Sequence, residues 1–75
     1  MLMEKNNINP NKLLQSKWTA TRPKNKEKHF IITRLIRDVD DVVQACEIEA
    51  VLTKRRESID WRLLSNSANW IHGWQ

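Results

Sequence analysis

The chain has 75 residues, of which 40% are hydrophobic and 29% charged, with four tryptophans and a formal net charge of +4. This length fits one small domain, and the single cysteine excludes an internal disulfide. The sequence contains no apolar run of the roughly 18 residues that a membrane helix needs, and its N-terminus does not resemble a signal peptide. We therefore predict a cytoplasmic protein with no membrane partner.

The N-terminal quarter predicts a tail, a helical turn and an extended segment. Residues 1–8 lack periodicity and are predicted to be a disordered tail, so a single β domain is expected over residues 9–75. Asn9 and Pro10 predict a short helical turn near residues 10–15, because Asn caps free amides and proline suits the first helical position. Residues 17–21 are expected to be extended, and the lysine-rich run 22–28, which contains Pro23, is expected to be an exposed loop.

The middle of the chain predicts a three-stranded antiparallel meander. The first strand is the segment 29–37, which carries apolar residues on both parities and is therefore expected to be covered on both faces. The aspartate-rich segment 38–41 predicts a turn. A hairpin then follows over residues 42–64, and the basic segment 54–57 forms its turn.

Alternation of side chains supports this hairpin. Its first strand places Cys46, Ile48, Ala50 and Leu52 on one face and Glu47, Glu49 and Thr53 on the other, while its second strand buries Ile59, Trp61 and Leu63. A helical alternative exists because residues 47–56 include good helix formers. No sustained 3.6-residue stripe accompanies them, so the hairpin is favoured.

The C-terminal residues predict closure of the fold. A helical turn is expected near residues 66–70, and Trp70, Gly73 and Trp74 are expected to form a short closing strand or turn over the core. Trp18 and Trp61 are predicted to be core residues. The predicted fold class is mainly β, a meander extended to a small SH3-like barrel.

A spaced set of motifs covering residues 9–74 resembles a tryptophan-rich family of small bacterial proteins classed as a domain of unknown function. The residues that carry the resemblance are Asn9-Pro10, Lys12-Leu13-Leu14, Ser16-Lys17-Trp18-Thr19-Ala20, Glu27-Lys28-His29-Phe30, Glu49-Ala50-Val51, Asp60-Trp61-Arg62, Trp70 and Gly73-Trp74. The resemblance implies a bacterial protein, often a complete short chain. It implies no catalytic residues, since the family has no established activity.

The sequence gives little support for a catalytic site or a metal site. Cys46 lies on the apolar parity of a strand, and no local signature joins it to His29 or His72 as an oriented base. Zinc prefers four nitrogen or sulfur ligands at characteristic spacing, which these three residues do not supply. No glycine-rich loop is present to hold a phosphate. We therefore predict a protein that is not an enzyme and has no cofactor, metal or small-molecule substrate.

The distribution of charge gives the first hypothesis for function. Residues 1–28 carry seven basic and two acidic side chains, whereas residues 29–75 carry six and seven. A basic surface attracts polyanions, and an exposed tryptophan can stack on a base. This pattern predicts an RNA-binding module whose site residues are Lys17, Lys24, Lys26, Lys28, Lys54, Arg55, Arg56 and Trp74.

Tryptophan content gives a second hypothesis, a protein-interaction or assembly module. Aromatic residues dominate the energetics of protein interfaces, and Trp70 and Trp74 lie close together near the end of the sequence. In this alternative, the partner docks on these two indoles or pairs with an edge of the sheet.

Overall fold

The computed structural model describes residues 5–75 as a five-stranded antiparallel sheet with two short 3-10 helices. In chain order the elements are a first 3-10 helix at Pro10–Lys12, β1 at Lys17–Lys24, β2 at Glu27–Arg37, β3 at Val43–Ala50, β4 at Arg56–Ile59, a second 3-10 helix at Trp61–Ser65 and β5 at Trp70–His72. The strand order across the sheet is β4-β3-β2-β1-β5. The predicted mainly β fold and the meander β2-β3-β4 are confirmed.

The sheet is open over the described residues. The edge strands β4 and β5 have four and three residues and lie at opposite sides of the sheet. The described chain measures 36 × 35 × 15 Å along its principal axes, as expected for a flat layer. The predicted closure into an SH3-like barrel is not confirmed, because closure would require pairing between β4 and β5, and the chain that joins them forms a 3-10 helix and a turn instead.

The core covers one face of the sheet. Trp18 on β1 stands opposite Phe30 on β2, which stands opposite Ala50 on β3, and all three are buried. The cluster also contains Leu13, Ile32, Cys46, Ile48 and Leu64, with Ile8, Ala20, Leu35, Ile59, Trp61 and Trp70 packed against it. Trp18 is 1% exposed, which confirms it as a core residue. Trp61 is partly buried beside the cluster, and its indole N–H donates to the carbonyl of Val43 at 3.0 Å.

The first hairpin differs from its prediction. Strand β1 continues through Pro23 to Lys24, and β2 begins at Glu27, so the predicted loop over residues 22–28 is wrong. The turn consists of Asn25 and Lys26, whose φ angles are 56° and 62°. Positive φ at both central residues matches the right-handed twist of the flanking strands and produces a two-residue hairpin.

The second hairpin confirms the predicted antiparallel pairing of β3 with β4, but the strands are shorter than expected. Cys46, Ile48 and Ala50 are buried as predicted. Leu52 is 68% exposed, because β3 ends at Ala50 and the turn over residues 51–53 carries Leu52 away from the core face. The second strand ends at Ile59, before Trp61 and Leu63.

Asp60 explains the early end of β4. Its carboxylate accepts a hydrogen bond from the backbone N–H of Arg62 at 2.9 Å and caps the second 3-10 helix. The helical spacing buries Leu64 completely and leaves Leu63 56% exposed, which reverses the strand prediction. The helical turn expected at residues 66–70 therefore lies earlier, at Trp61–Ser65. The first helical turn is confirmed in shorter form at Pro10–Lys12, with Asn9 as its cap.

The predicted N-terminal tail falls partly outside the described residues, which exclude residues 1–4. The backbone N–H of Asn6 donates to the carbonyl of Ser65 at 2.9 Å. The Asn6 side-chain amide donates to the carbonyls of Leu64 and Trp70, both at 2.8 Å. This segment of the chain thus ties the second 3-10 helix to β5, in contrast to the disordered tail that its composition predicts.

Candidate nucleic-acid interface

Two turns carry most of the predicted site residues to one end of the sheet. In an antiparallel meander, the β1-β2 turn and the β3-β4 turn lie at the same end, whereas the β2-β3 turn lies at the other. We call this the basic end. It comprises Lys24, Lys26, Lys28, Lys54, Arg55 and Arg56. The structure therefore brings together six of the eight residues that the sequence assigned to nucleic-acid binding.

The Arg55 side chain binds other residues of the protein. Its guanidinium donates to both carboxylate oxygens of Glu27 at 2.8–3.1 Å and to Glu57 at 2.8 Å. Glu27 is 5% exposed and also accepts from the hydroxyl of Thr53. The hydrogen bond from Arg55, and after it the one from Thr53, holds the pKa of the Glu27 carboxyl below its usual value of 4.5. Arg55 therefore fastens one turn of the basic end to the other.

Arg56 is also paired, whereas the lysines of the basic end are not. The Arg56 guanidinium lies 2.7 Å from the Glu49 carboxylate across the β3-β4 pair. Within residues 5–75, no ion pair or side-chain hydrogen bond engages the ammonium groups of Lys24, Lys26, Lys28 and Lys54. All four lysines are exposed. The positive charge available to a ligand at this end thus comes from the lysines.

Both turns hold a lysine in the left-handed region of backbone conformation. Lys26 has a φ of 62° and Lys54 a φ of 65°. Left-handed backbone costs an L-residue roughly 1–2 kcal/mol, so glycine or asparagine is the usual choice at such positions. Gln15, Asn25 and Asp41 also have positive φ, so the two lysines share this conformation with other turn and bend residues, and it does not by itself assign them a role.

The remaining predicted residues, Lys17 and Trp74, meet on the face of the sheet opposite the core. The indole N–H of Trp74 donates to the carbonyl of Phe30 at 3.0 Å, and the ammonium of Lys17 lies 4.7 Å from the centre of the Trp74 ring. A cation over the face of an indole is attracted by the ring quadrupole. Trp74 remains 43% exposed. Its position is therefore fixed while a large part of its ring faces solvent.

The last three residues position this indole by folding back over β1. The backbone N–H of Gly73 donates to the carbonyl of Lys17 at 2.7 Å. The Thr19 hydroxyl donates to the Gly73 carbonyl at 2.7 Å and accepts from the backbone N–H of Gln75 at 3.0 Å. Gly73 has a φ of 90°, a conformation that L side chains rarely adopt. We call the segment 73–75 the C-terminal clasp.

A shallow groove at the basic end extends to His29, which lies beside Trp74. Its volume is about 260 Å³, and it is lined by Lys26, Lys28, His29, Val51 and Leu52. The His29 ring lies 5.8 Å from the Trp74 ring, and its Nε2 is 2.9 Å from the Gln75 carbonyl oxygen. The residues Lys26, Lys28, His29, Trp74 and Lys17 therefore form one path, which we call the Lys-Trp stripe.

Sequence reasoning missed two participants, Glu27 and His29. The composition of residues 22–28 predicts an exposed loop for Glu27, although Asn25 favours the left-handed start of a two-residue turn, which would make Glu27 the first residue of β2. The sequence predicts a strand position for His29 and no ligand role. Its position beside Trp74 depends on the clasp, and no local pattern reveals that contact.

The described residues also bear on three other possibilities, a reactive thiol, a metal site and a membrane-spanning helix. Burial, followed by the charge of Asp60, raises the pKa of the Cys46 thiol to about 11. No group of three His, Cys, Asp or Glu side chains within residues 5–75 could hold a metal ion. The same residues include no helix long and apolar enough to cross a membrane.

The model of a family described as tryptophan-rich protein (DUF2389) matches residues 16–75. The chain belongs to this tryptophan-rich family. The matched segment contains all five strands, the second 3-10 helix and every residue of the Lys-Trp stripe. Neither the curated proteins nor the solved structures contain a match to the chain.

Proposed function

We propose that this tryptophan-rich protein is a non-enzymatic module that binds single-stranded RNA in the bacterial cytoplasm. One observation carries the proposal. Lys26 and Lys28 line a groove together with His29, whose ring lies 5.8 Å from that of Trp74, a fixed and partly exposed indole. Proteins that bind single-stranded nucleic acids commonly combine a positively charged groove with aromatic rings on which bases stack.

The four lysines and Trp74 would have different roles. Lys24, Lys26, Lys28 and Lys54 would contact phosphates, which supply affinity without reading sequence. Trp74 would stack on a base, an interaction worth about 1–3 kcal/mol per base and tolerant of base identity. Arg55 and Arg56 would hold the turns in place through their carboxylate partners instead of binding RNA.

Fluorescence anisotropy with a labelled oligouridylate tests this proposal. Affinity should fall steeply as salt rises, because bound counterions are released from the strand. The triple variant Lys26→Gln, Lys28→Gln and Lys54→Gln should reduce the slope of log affinity against log salt by about 2, given about 0.7 per lost phosphate contact on a single strand. Trp74→Ala should weaken binding at every salt concentration.

A matched triple variant provides the control. Lys5→Gln, Lys12→Gln and Arg34→Gln remove the same charge from exposed positions outside the basic end and the Lys-Trp stripe. If both triple variants weaken binding equally, the effect is one of net charge alone, and the proposed interface is wrong. Absence of salt-dependent binding in the unmodified protein would also contradict it.

A protein partner is the second candidate, favoured by the position of Ile71. Ile71 stands opposite Thr19 on β1, on the same face as Trp74, and is 39% exposed. Two exposed apolar side chains on one face can anchor a partner. Affinity purification would then recover one protein at both low and high salt, and Ile71→Ser and Trp74→Ala would each abolish recovery. RNA binding predicts salt-sensitive recovery that Ile71→Ser does not affect.

A further inference from the structure

A cavity of about 540 Å³ opens on the core-bearing face of the sheet, away from the Lys-Trp stripe. Its apolar lining consists of Ala20, Phe30, Ile48 and Trp70. Its polar rim includes Arg22, Lys24 and Arg55. Ala20 lies directly opposite Trp70 in the β1-β5 pair, and Phe30 is on the neighbouring strand. Cavities of this volume commonly hold a small molecule.

The aromatic wall suits a planar ring. Phe30 and Trp70 meet edge to face, with ring centroids 5.3 Å apart and an angle of 78° between their planes. Phe30 is buried, whereas Trp70 is only partly buried and reaches the cavity. A planar ligand can therefore pack on aromatic surface that is already held in place by the core, which lowers the entropic cost of binding.

The charges on the rim suit an anion with more than one negative charge. Arg22 and Lys24 form no ion pair or side-chain hydrogen bond within residues 5–75. Arg55 forms ion pairs with both carboxylates of the lining, those of Glu27 and Glu57. With the unpaired Arg22 and Lys24 included, three cations face two carboxylates, so the lining has a net positive charge. An arginine and a lysine side by side match a phosphate monoester better than a single carboxylate, since the guanidinium can bind two phosphate oxygens.

We infer that this cavity binds one nucleotide, with its base against Trp70 and its 5′-phosphate between Arg22 and Lys24. The cavity shares Lys24 and Arg55 with the basic end but no residue with the Lys-Trp stripe. The inference therefore goes beyond the proposed contacts of an RNA strand with Trp74 and the lysines of the groove. Two sources could supply the same chemistry, a free nucleoside monophosphate or the phosphorylated 5′ end of an RNA strand. Both present a planar base and a terminal phosphate.

Tryptophan fluorescence during titration with uridine monophosphate tests the inference. The nucleotide should quench emission, while uridine, inorganic phosphate and benzoate should each bind at least about tenfold more weakly, since each lacks the base or the second charge. Arg22→Gln should weaken nucleotide binding about tenfold, which corresponds to loss of one charge-assisted contact. Arg34→Gln is the matched control, because Arg34 is exposed and lies outside the cavity lining, and it should leave the affinity unchanged.

Variants inside the cavity give a second check. Ala20→Leu would fill the cavity without removing a charge and should abolish binding, while circular dichroism should show that the sheet is retained. Trp70→Leu should remove the quench but is interpretable only with the same check, because Trp70 packs against the core. Equal affinity for uridine and its monophosphate, or full affinity in Arg22→Gln, would overturn the inference.

Oligouridylates with a 5′-phosphate or a 5′-hydroxyl distinguish the two sources. If the phosphorylated strand binds more tightly and Arg22→Gln removes the difference, the site holds an RNA end. If the monophosphate binds and the two strands do not differ, the ligand is a free nucleotide. If neither the monophosphate nor the 5′-phosphate contributes to binding, the inference fails, while the RNA interface is judged separately by its salt-dependent binding.

Discussion

Glu27 and Arg55 join the two turns of the basic end across 28 positions of sequence, with the shortest distance between their charged groups at 2.8 Å. The Glu27 side chain is 5% exposed and that of Arg55 is 46% exposed, so the pair spans the boundary between the packed interior and solvent. The contact fixes the separation of the lysines on the two turns. The proposed RNA interface therefore depends on a carboxylate that does not itself face the ligand.

Glu27→Gln should lower stability at neutral pH and change its dependence on acid. The pKa of Glu27 in the folded protein lies below 4.5, so its stabilising effect is complete above that pH and is lost as the pH falls through the folded-state pKa. Urea denaturation between pH 2 and pH 7 should show a steeper loss of stability below about pH 4.5 in the unmodified protein than in the variant.

Glu57→Gln is the matched control for this measurement. Glu57 also binds Arg55 at 2.8 Å, but its side chain is 48% exposed, and solvent weakens such pairs. Its replacement should cost less stability than Glu27→Gln at pH 7. If the two variants are equally stable, the buried position of Glu27 contributes nothing and the proposed role of the pair is wrong.

Cys46 should be nearly inert in the folded protein. Its pKa of about 11 and complete burial leave roughly one thiolate per thousand molecules at pH 8, and that thiolate is shielded from reagents. A thiol-disulfide reagent such as Ellman's reagent should therefore react at least about 100-fold more slowly in buffer than in denaturing urea. Similar rates in the two solutions would show that β3 opens readily or that the thiol is accessible.

Local alternation of residue types predicted much of the sheet, since burial of Cys46, Ile48 and Ala50 follows directly from period-two patterning. Pro23 misled the prediction of β1, because proline usually ends a strand. Here β5 pairs with residues 18–20 only, and the register with β2 is irregular between Thr19 and Lys24, so the missing N–H of Pro23 disrupts no regular ladder.

The candidate site was predictable in composition but not in arrangement. The lysines and Trp74 stand out in the sequence, yet their separation into a basic end and a clasped indole depends on contacts between distant segments. Arg55 shows why the arrangement could not be predicted from the sequence. Its place in a basic turn predicts a free cation, whereas pairing with Glu27 follows from the convergence of two turns that no local pattern encodes.

Gly73→Ala should loosen the C-terminal clasp. Space is not the obstacle, because an added Cβ would meet only the side-chain nitrogen of Gln75, at 3.8 Å. The φ of 90° is the obstacle, and alanine pays roughly 1–2 kcal/mol for a left-handed backbone. The clasp should detach and release the Trp74 indole from the Phe30 carbonyl. Tryptophan emission should shift to longer wavelength, with a smaller shift for Gly73→Asn, since asparagine tolerates positive φ better.

Replacing Lys26 or Lys54 by glycine should increase the stability of the fold but weaken RNA binding. Lys26→Gly and Lys54→Gly relieve backbone strain at φ values of 62° and 65°. The strain energy relieved exceeds the entropic cost of a more flexible unfolded chain, so the free energy of unfolding should rise by about 0.5–1 kcal/mol. The midpoint of thermal unfolding should rise by about 2–8 °C for a domain of this size. RNA affinity should fall in both variants, because each loses one phosphate contact.

Lys28→Gly is the matched control, since Lys28 lies inside β2 and its φ is not positive. Glycine within a strand costs roughly 0.5–1 kcal/mol, so this variant should unfold at a lower temperature while losing the same charge. All three variants should therefore bind RNA more weakly, although two are more stable and one is less stable than the unmodified protein. If affinity instead follows stability, the lysines act through the fold, and the assignment of their charge to RNA binding is wrong.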